Sequence, residues 1–321
     1  MKRIALLGAN SQIGSDLALQ WAARTDLQLD LYSRQPDRLA KWAGDVEHAH
    51  PVACKGYDDL LTAAEDYDAL VNFVGVGDPA RAVAMGASII DVTHHYDSLA
   101  LSYLDRAPAC RYIFLSSGAV YGRNFAEPVD DRSVARIEIN QIGPQDYYSV
   151  AKLAAEVKHR SMPYKNIVDL RVFNMFSRTQ DLNARFFITD IIRAIEEGRT
   201  LEVDASPMTR DYLHPGDFAK LVDAVLQAEP ANAAVDAYSR APIGKFELLE
   251  SMRTGYGLQW TTRTGPAGVN ATRTKPNYYS LNRRAQDFGY APELTSLETI
   301  HIEASAMLEG RKAASMLEAS R

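Results

Sequence analysis

The chain is 321 residues long, 46% hydrophobic and 24% charged, with a formal net charge of -6. That length fits one large or two modest domains around a sizeable core. The acidic balance excludes the broad basic surface that phosphate backbones require, so nucleic acid is not an expected partner.

Ile4 to Leu7 reads as a buried strand that runs into Gly8-Ala9-Asn10-Ser11-Gln12-Ile13-Gly14 and then a helical stretch from Ser15 to Arg24. Strand, tight turn and helix in that order build a phosphate cradle. Glycines let the backbone approach a pyrophosphate, and the helix N-terminus offers unpaired N–H groups and a positive dipole end. A dinucleotide is expected against Gly8, Asn10, Ser11, Gln12, Ile13 and Gly14, with Ser11 standing where G-x-x-G-x-x-G has its middle glycine. Further strand-like runs follow at Leu27 to Tyr32, Pro51 to Cys54, Ala69 to Val74, Ile89 to Val92, Tyr112 to Leu115 and Ile167 to Phe173, alternating with helical ones. This alternation predicts an α/β fold with a doubly wound parallel sheet.

The run Tyr112 to Leu115 stops abruptly at Ser116-Ser117-Gly118. Its hydroxyls therefore fall at the carboxyl end of a strand, where open parallel sheets bind ligands. Farther on, Tyr148-Ser149-Val150-Ala151-Lys152 places Tyr148 and Lys152 four residues apart on one helix face. A free phenol titrates near ~10, and a neighbouring ammonium favours the phenolate, so this spacing predicts a Tyr pKa lowered towards working pH. A Ser, a Tyr and a Lys can then converge as a proton-transfer site.

After Asn174 the pattern loosens into a helix near Phe186 to Glu197, the segment Thr200 to Arg210, and loops rich in Gly, Thr, Arg and Asn beyond Pro242. A smaller substrate lobe is expected there, with Ala234 to Tyr238 returning to the main sheet. The expected division is residues 1–175 with 211–241 for the dinucleotide-binding domain, and 176–210 with 242–321 for the interleaved lobe.

Five ordered motifs together resemble the extended short-chain dehydrogenase/reductase family of sugar-nucleotide epimerases, dehydratases and ketoreductases. They are the glycine turn, the S-S-x-x-V-Y-G strand end, Tyr148/Lys152, Arg171-Val172-Phe173-Asn174, and Arg210-Asp211-Tyr212-Leu213-His214-Pro215-Gly216-Asp217. The resemblance covers nearly the whole chain. It implies Ser117 as the catalytic serine, Tyr148 as the acid/base and Lys152 as the group that orients the nicotinamide ribose and lowers the Tyr pKa. It implies Arg210 and Asn174 as contacts to the diphosphate and sugar of a nucleotide-activated sugar. Lys275, in Arg273-Thr274-Lys275-Pro276, stands where relatives often carry a second diphosphate arginine. Homodimers built through the Tyr/Lys helix are implied as well.

Cofactor choice turns on the end of the second strand. Counting from Gly14 puts Tyr32 at the family's acidic ribose position, followed by Ser33 and Arg34; an Arg there suits a 2′-phosphate and predicts NADP, whereas a shift of two residues would make Asp30 the acid and predict NAD. Tyr57 and Asp58 are expected to edge the adenine, with Phe73, Val74, Gly75 and Ser116 lining the cofactor. Gly118 and Ala119 occupy the two positions where 4,6-dehydratases of the family carry Asp and Glu. The expectation is therefore a 4-ketoreductase, with a 4-epimerase as the alternative and a non-catalytic nicotinamide-sensing regulator as the alternative of another class.

Adjacent His94 and His95 point about 100° apart on a helix, so no metal site is expected beside Asp91 and Asp97. His214 reads as a helix-entry hydrogen-bonding group, and the Tyr278-Tyr279 pair fits a base-stacking role and a lobe anchor equally well. No apolar run approaches the ~20 residues of a membrane span, and a strand-like run stands where a signal peptide would. With only Cys54 and Cys110 for thiols, a cytoplasmic location with both cysteines reduced and no membrane contact is expected.

Overall fold

The computed structural model describes residues 1–62, 66–263 and 275–319. Strands and helices alternate through the first half: β1 (Lys2–Leu7), α1 (Gln12–Trp21), β2 (Leu27–Tyr32), α2 (Pro36–Gly44), β3 (Ala53–Lys55), β4 (Ala69–Asn72), α3 (Pro79–Met85), α4 (Ser88–Arg106), β5 (Arg111–Ser117), α5 (Pro144–Arg160) and β6 (Ile167–Val172). The second half continues with β7 (Asn174–Met175), α6 (Phe187–Glu196), β8 (Thr200–Asp204), β9 (Thr209–Arg210), β10 (Tyr212–Leu213), α7 (Pro215–Gln227) and β11 (Asn232–Asp236). It ends with β12 (Ile243–Gly244), α8 (Lys245–Tyr256), β13 (Gln259–Arg263), β14 (Asn277–Tyr278) and α9 (Ser296–Ala319).

Among the described residues the main sheet has seven parallel strands in the order β11-β6-β5-β4-β1-β2-β3. Strand residues alternate between two buried faces, which is why these runs are almost continuously apolar. Ile4, Leu6, Leu29 and Leu31 pack with Leu17 and Trp21 of α1 and Phe218 and Val222 of α7, whereas Ala5, Leu7, Tyr32 and Phe114 pack with Leu101 and Leu104 of α4. The strand order reverses at β1, between β2 and β4, the place where open parallel sheets form a ligand crevice at their carboxyl ends.

The stretch Ile89 to Val92, expected as a strand, lies in α4. Its buried residues Ile89, Thr93, Asp97, Ala100, Leu101, Tyr103 and Leu104 follow the helical repeat, and a four-residue apolar run is too short to reveal that period. The return of Ala234 to Tyr238 is realised as β11, which begins two residues earlier and pairs with β6 from Asn232↔Ile167 to Asp236↔Arg171.

A second apolar core forms from Ile188, Ile191 and Ile192 of α6, Leu201 and Val203 of β8, Leu248 and Met252 of α8, and Ile300 and Ala304 of α9. Small sheets pair β8 with β13, β7 with β10, and β9 with both β12 and β14. No helix among the described residues is long and apolar enough to cross a membrane.

Candidate active site

At the dinucleotide end, the turn after β1 is shaped by backbone. Gly8 has φ +76, and a Cβ there would sit 2.9 Å from the Val74 nitrogen; a Cβ on Gly14 would sit 2.7 Å from the Gly8 oxygen. Only glycine fits either place. Ser11 caps α1, its Oγ accepting from the Gly14 N–H at 3.2 Å. The missing middle glycine is thus replaced by a helix cap, and the N-terminal cradle is kept. Asn10 is exposed, Ile13 is half-buried, and Gln12 donates to Ser177 Oγ at 3.2 Å. The close-packed glycines and the capped helix start fit a pyrophosphate.

The ribose end differs from the expectation. Because β2 alternates, Asp30 and Tyr32 turn to the α4 face. Asp30 is fully buried and accepts from Arg3 at 2.9 Å, Lys55 at 2.9 Å and the Tyr67 hydroxyl at 2.6 Å. Tyr32 is fully buried too, its hydroxyl 2.7 Å from that of Tyr67. Neither side chain reaches the crevice, so the expected Tyr32 contact is limited to its backbone and the Asp30 alternative is removed. Ser33 is buried, its Oγ accepting from Gln35 N–H at 3.0 Å, while Arg34 is exposed. Tyr57 packs at a tilt against Tyr96 at 4.5 Å between centroids, burial pushes its phenol pKa up, and Asp58 is exposed. Phe73 is buried against Phe218 and leaves only its backbone at the crevice, beside half-buried Val74 and Gly75.

At the reacting end, α5 starts at Gly143 with Pro144 in the first turn and Asp146 accepting from the Gly143 N–H at 3.0 Å, and ends on Lys158, His159 and Arg160. Both ends suit the helix dipole. Its inward face carries Tyr148, Lys152, Glu156 and His159. Lys152 Nζ donates to the Leu115 carbonyl at 2.6 Å, lies 4.3 Å from the Phe114 ring centroid, and would be 3.5 Å from a Cβ on Gly75. Burial lowers its pKa to about 8, opposed by the Asp97, Asp169 and Glu156 charges.

The expected lowering of the Tyr148 pKa is overturned. Burial raises it, and a hydrogen bond with Ser117 offsets only part of that rise. The ammonium is anchored on the Leu115 carbonyl, so helical spacing aligned the two residues without bringing the charge to bear on the phenol.

Ser117 Oγ accepts from the Ala119 N–H at 3.1 Å and lies 3.4 Å from the Tyr278 hydroxyl. Ser116, expected to line the cofactor, instead donates to Glu156 at 2.5 Å. Glu156 is paired with Arg171, which donates to the Tyr121 hydroxyl at 2.8 Å and meets Asp236 at 3.4 Å; Ser280 donates to Asp236 at 2.6 Å. One turn along, fully buried His159 lies 2.7 Å from Asp97 and 2.6 Å from Asp169, and these carboxylates raise its pKa to about 9 against the desolvation that would lower it. Gly118 is closed to any side chain, because a Cβ there would run into the Phe173 ring.

Among the residues expected to meet substrate, Arg210 is 3% exposed and its Nη1 donates to the carbonyls of Thr209 at 2.8 Å and Lys275 at 2.7 Å. Burial lowers its pKa. Lys275 Nζ lies 4.7 Å from the ring centroids of both Phe125 and Tyr278, and burial with the Arg210 charge lowers its pKa to about 8. Arg273 and Thr274 lie outside the described residues. Asn174 Nδ2 donates to the Asp211 carbonyl at 3.2 Å. His214 caps α7, accepting from Gly216 N–H at 3.0 Å and facing Glu303 at 3.1 Å, as its position before Pro215 implied. His94 and His95 are exposed, and Asp97 turns inward to His159.

Sequence reading missed Tyr278 beside Ser117, and Glu156 and His159 on the same face of α5. Glu156 was findable as the next four-residue step after Lys152. Tyr278 was not, since it arrives through the pairing of β14 with β9, opposite Arg210.

A parallel sheet with a glycine turn at its switch point and Ser, Tyr and Lys at the end of β5 and on α5 defines a Rossmann-fold short-chain dehydrogenase/reductase. The chain belongs to the NAD dependent epimerase/dehydratase family, whose model matches residues 4–239. No curated protein sequence matches it. Among solved structures it is similar to the UDP-glucose 4-epimerase of Thermotoga maritima with UDP-glucose, at TM-score 0.78 and 14% identity over 96% of this chain and 99% of that one. The UDP-glucuronic acid 4-epimerase of Bacillus cereus, in complex with UDP-glucuronic acid and NAD, gives 0.75 and 14% over 96% and 99%. The UDP-N-acetylglucosamine 4-epimerase of Methanobrevibacter ruminantium M1, in complex with UDP-N-acetylmuramic acid, gives 0.76 and 17% over 95% and 99%.

Proposed function

We propose that this protein is a nucleotide-sugar 4-epimerase that retains NAD through its cycle, in place of the 4-ketoreductase expected from sequence. The observation that carries the reading is the Ser117/Tyr148/Lys152 constellation at the end of β5, beside a Gly118 position closed to the acidic side chain of a dehydratase. The likeness to 4-epimerases over 95–96% of the chain supports it.

When bound, the dinucleotide supplies a ring that takes up and returns hydride at a sugar carbon. Tyr148 moves the proton of the sugar hydroxyl, Ser117 holds that oxygen, and Lys152 presents an ammonium to the ribose from its anchor on Leu115. Gly8, Ser11 and Gly14 hold the pyrophosphate. Asn174, Arg210 and Lys275 face the sugar nucleotide, Lys275 offering a point charge where a guanidinium would grip the diphosphate at two points. Ile90 of α4 and Val157 of α5 are exposed, which suits homodimer pairing through these helices.

A second reading follows from Arg34. With Asp30 and Tyr32 turned away, no carboxylate from β2 meets the ribose, and exposed Arg34 suits a 2′-phosphate. That favours NADP and a 4-ketoreductase with an exchangeable cofactor. Denaturing the purified protein and weighing the released nucleotide separates the two. Retained NAD, with C4 epimers formed from UDP-glucose, UDP-glucuronic acid or UDP-N-acetylglucosamine, is the expected result. An empty protein that binds NADPH over NADH and forms no epimer would overturn it.

A further inference from the structure

Asp236 ends β11, at the edge of the main sheet, and is fully buried. Three donors hold its carboxylate: the Tyr121 hydroxyl at 2.9 Å, Arg171 Nη1 at 3.4 Å and the Ser280 hydroxyl at 2.6 Å. A buried carboxylate needs such partners, and the short bond from Ser280 is of the charge-assisted kind. Tyr121 follows β5, Arg171 lies in β6, and Ser280 comes shortly after β14. One acid thus gathers the main sheet and the C-terminal segment.

The segment that Ser280 anchors carries groups expected to meet substrate. Lys275 precedes it, with Nζ 4.7 Å from the ring centroids of Phe125 and Tyr278, and Tyr278 lies beside Arg210 in the pairing of β14 with β9. β14 is two residues long, and the bonds that flank it, Val129 N–H to the Tyr279 carbonyl at 3.1 Å and Leu281 N–H to the Val129 carbonyl at 2.7 Å, run to the connection between β5 and α5. So short a strand fixes little by itself. Ser280 is 1% exposed, and its oxygen also accepts from the Asn282 N–H at 3.0 Å, so one side chain holds both the carboxylate and its own chain.

Arg171 carries the link onward. Its Nε and Nη2 grip Glu156 of α5, one turn beyond Lys152, while Nη1 reaches the Tyr121 hydroxyl at 2.8 Å and Asp236. The cation expected at the cofactor ribose and the cation expected at the substrate are therefore fastened to one guanidinium, the first through α5 and the second through Ser280 and Asp236. We propose that Ser280 is a positioning residue for substrate binding: its bond to Asp236 sets the place of Lys275 and Tyr278 relative to α5. Hydride and proton transfer belong to other groups, so its effect falls on binding. The inference rests on the reading of Lys275 and Arg210 as contacts to a sugar nucleotide.

Ser280→Ala removes the hydroxyl and leaves Asp236 to Tyr121 and Arg171. The Kd for UDP by calorimetry, and the KM for UDP-glucose, UDP-glucuronic acid or UDP-N-acetylglucosamine, should rise ~10-fold, the scale of one loosened charge-assisted contact. Turnover should stay within about three-fold of wild type, with the retained nucleotide unchanged. Ser280→Cys keeps a similar volume with a weaker donor and should fall between the two; it carries the test if Ser280→Ala does not fold. Unchanged Kd and KM, even with a lower melting temperature, mark a merely structural bond and overturn the inference, as does a fall in kcat at constant KM. A wild-type protein that binds UDP but epimerises none of the three sugars breaks the epimerase reading alone, and the Kd comparison still decides the inference. A wild-type protein that does not bind UDP overturns the inference at its base.

Discussion

The two ends of the crevice are built from different materials. The end proposed for the pyrophosphate is backbone: two glycines closed by their neighbours and a serine cap. The reacting end is side chain, a face of α5 held in place by buried charge, with Glu156 on Arg171 and His159 between Asp97 and Asp169. A backbone cradle depends on a few glycines. A side-chain site depends on everything that fixes its helix.

The largest expected effect lies at the reacting end. Tyr148→Phe should lower turnover by ~10²-fold or more with the nucleotide still bound; an unchanged rate ends its assignment as acid/base. His159→Gln should cost about 3–5 kcal/mol, because two buried aspartates lose their cation, and a melting curve within a degree or two of wild type would show the triad is not needed. The folded His159 pKa of about 9 lies above its free value of 6.5. Its stabilisation is therefore complete below about 6.5 and lost as pH rises through about 9. In wild type the unfolding midpoint should fall over that window, and the fall should be smaller in His159→Gln.

Gly118→Asp, which restores a dehydratase-like residue, should destabilise by about 1–3 kcal/mol through collision with Phe173; a stable variant with dehydratase activity would refute the steric reading. Smaller still is a shift in pH profile. Lys152 carries its charge below about 8, so turnover should decline above that pH. Glu156→Gln removes a nearby negative charge and should move the decline to lower pH. A decline moving upward would show that the carboxylate does not sustain the ammonium.

Much of the sheet could be read directly because its signals are local. Leu27 to Tyr32 coincides with β2, and the turn from Gly8 to Gly14 lies where strand and helix demanded it. Five residues at the candidate site were not legible from local signals. Asp30 and Tyr32 face away from the crevice through strand alternation relative to α4, a partner outside their own segment. Ser116 turned to Glu156, a long-range pair. The Tyr148 phenol responds more to burial than to a charge four residues away. Tyr278 reaches Ser117 through two short strands that no periodicity reveals.

The order of strands across the sheet has a consequence for synthesis. β6 borders β5 on one side and β11 on the other, yet β11 leaves the ribosome only after α6, the short strands β7 to β10 and α7. At ~5–20 residues per second, the nascent chain carries β6 as a bare edge for several seconds. Tyr278 follows later still. A growing chain can close its nucleotide cradle early, but the edge of its sheet and the far wall of its reaction site come last. Stalled chains ending before Asn232 should therefore be cleaved near β6 by a protease that spares chains ending after α9; equal resistance in both would show that the edge is covered from the start.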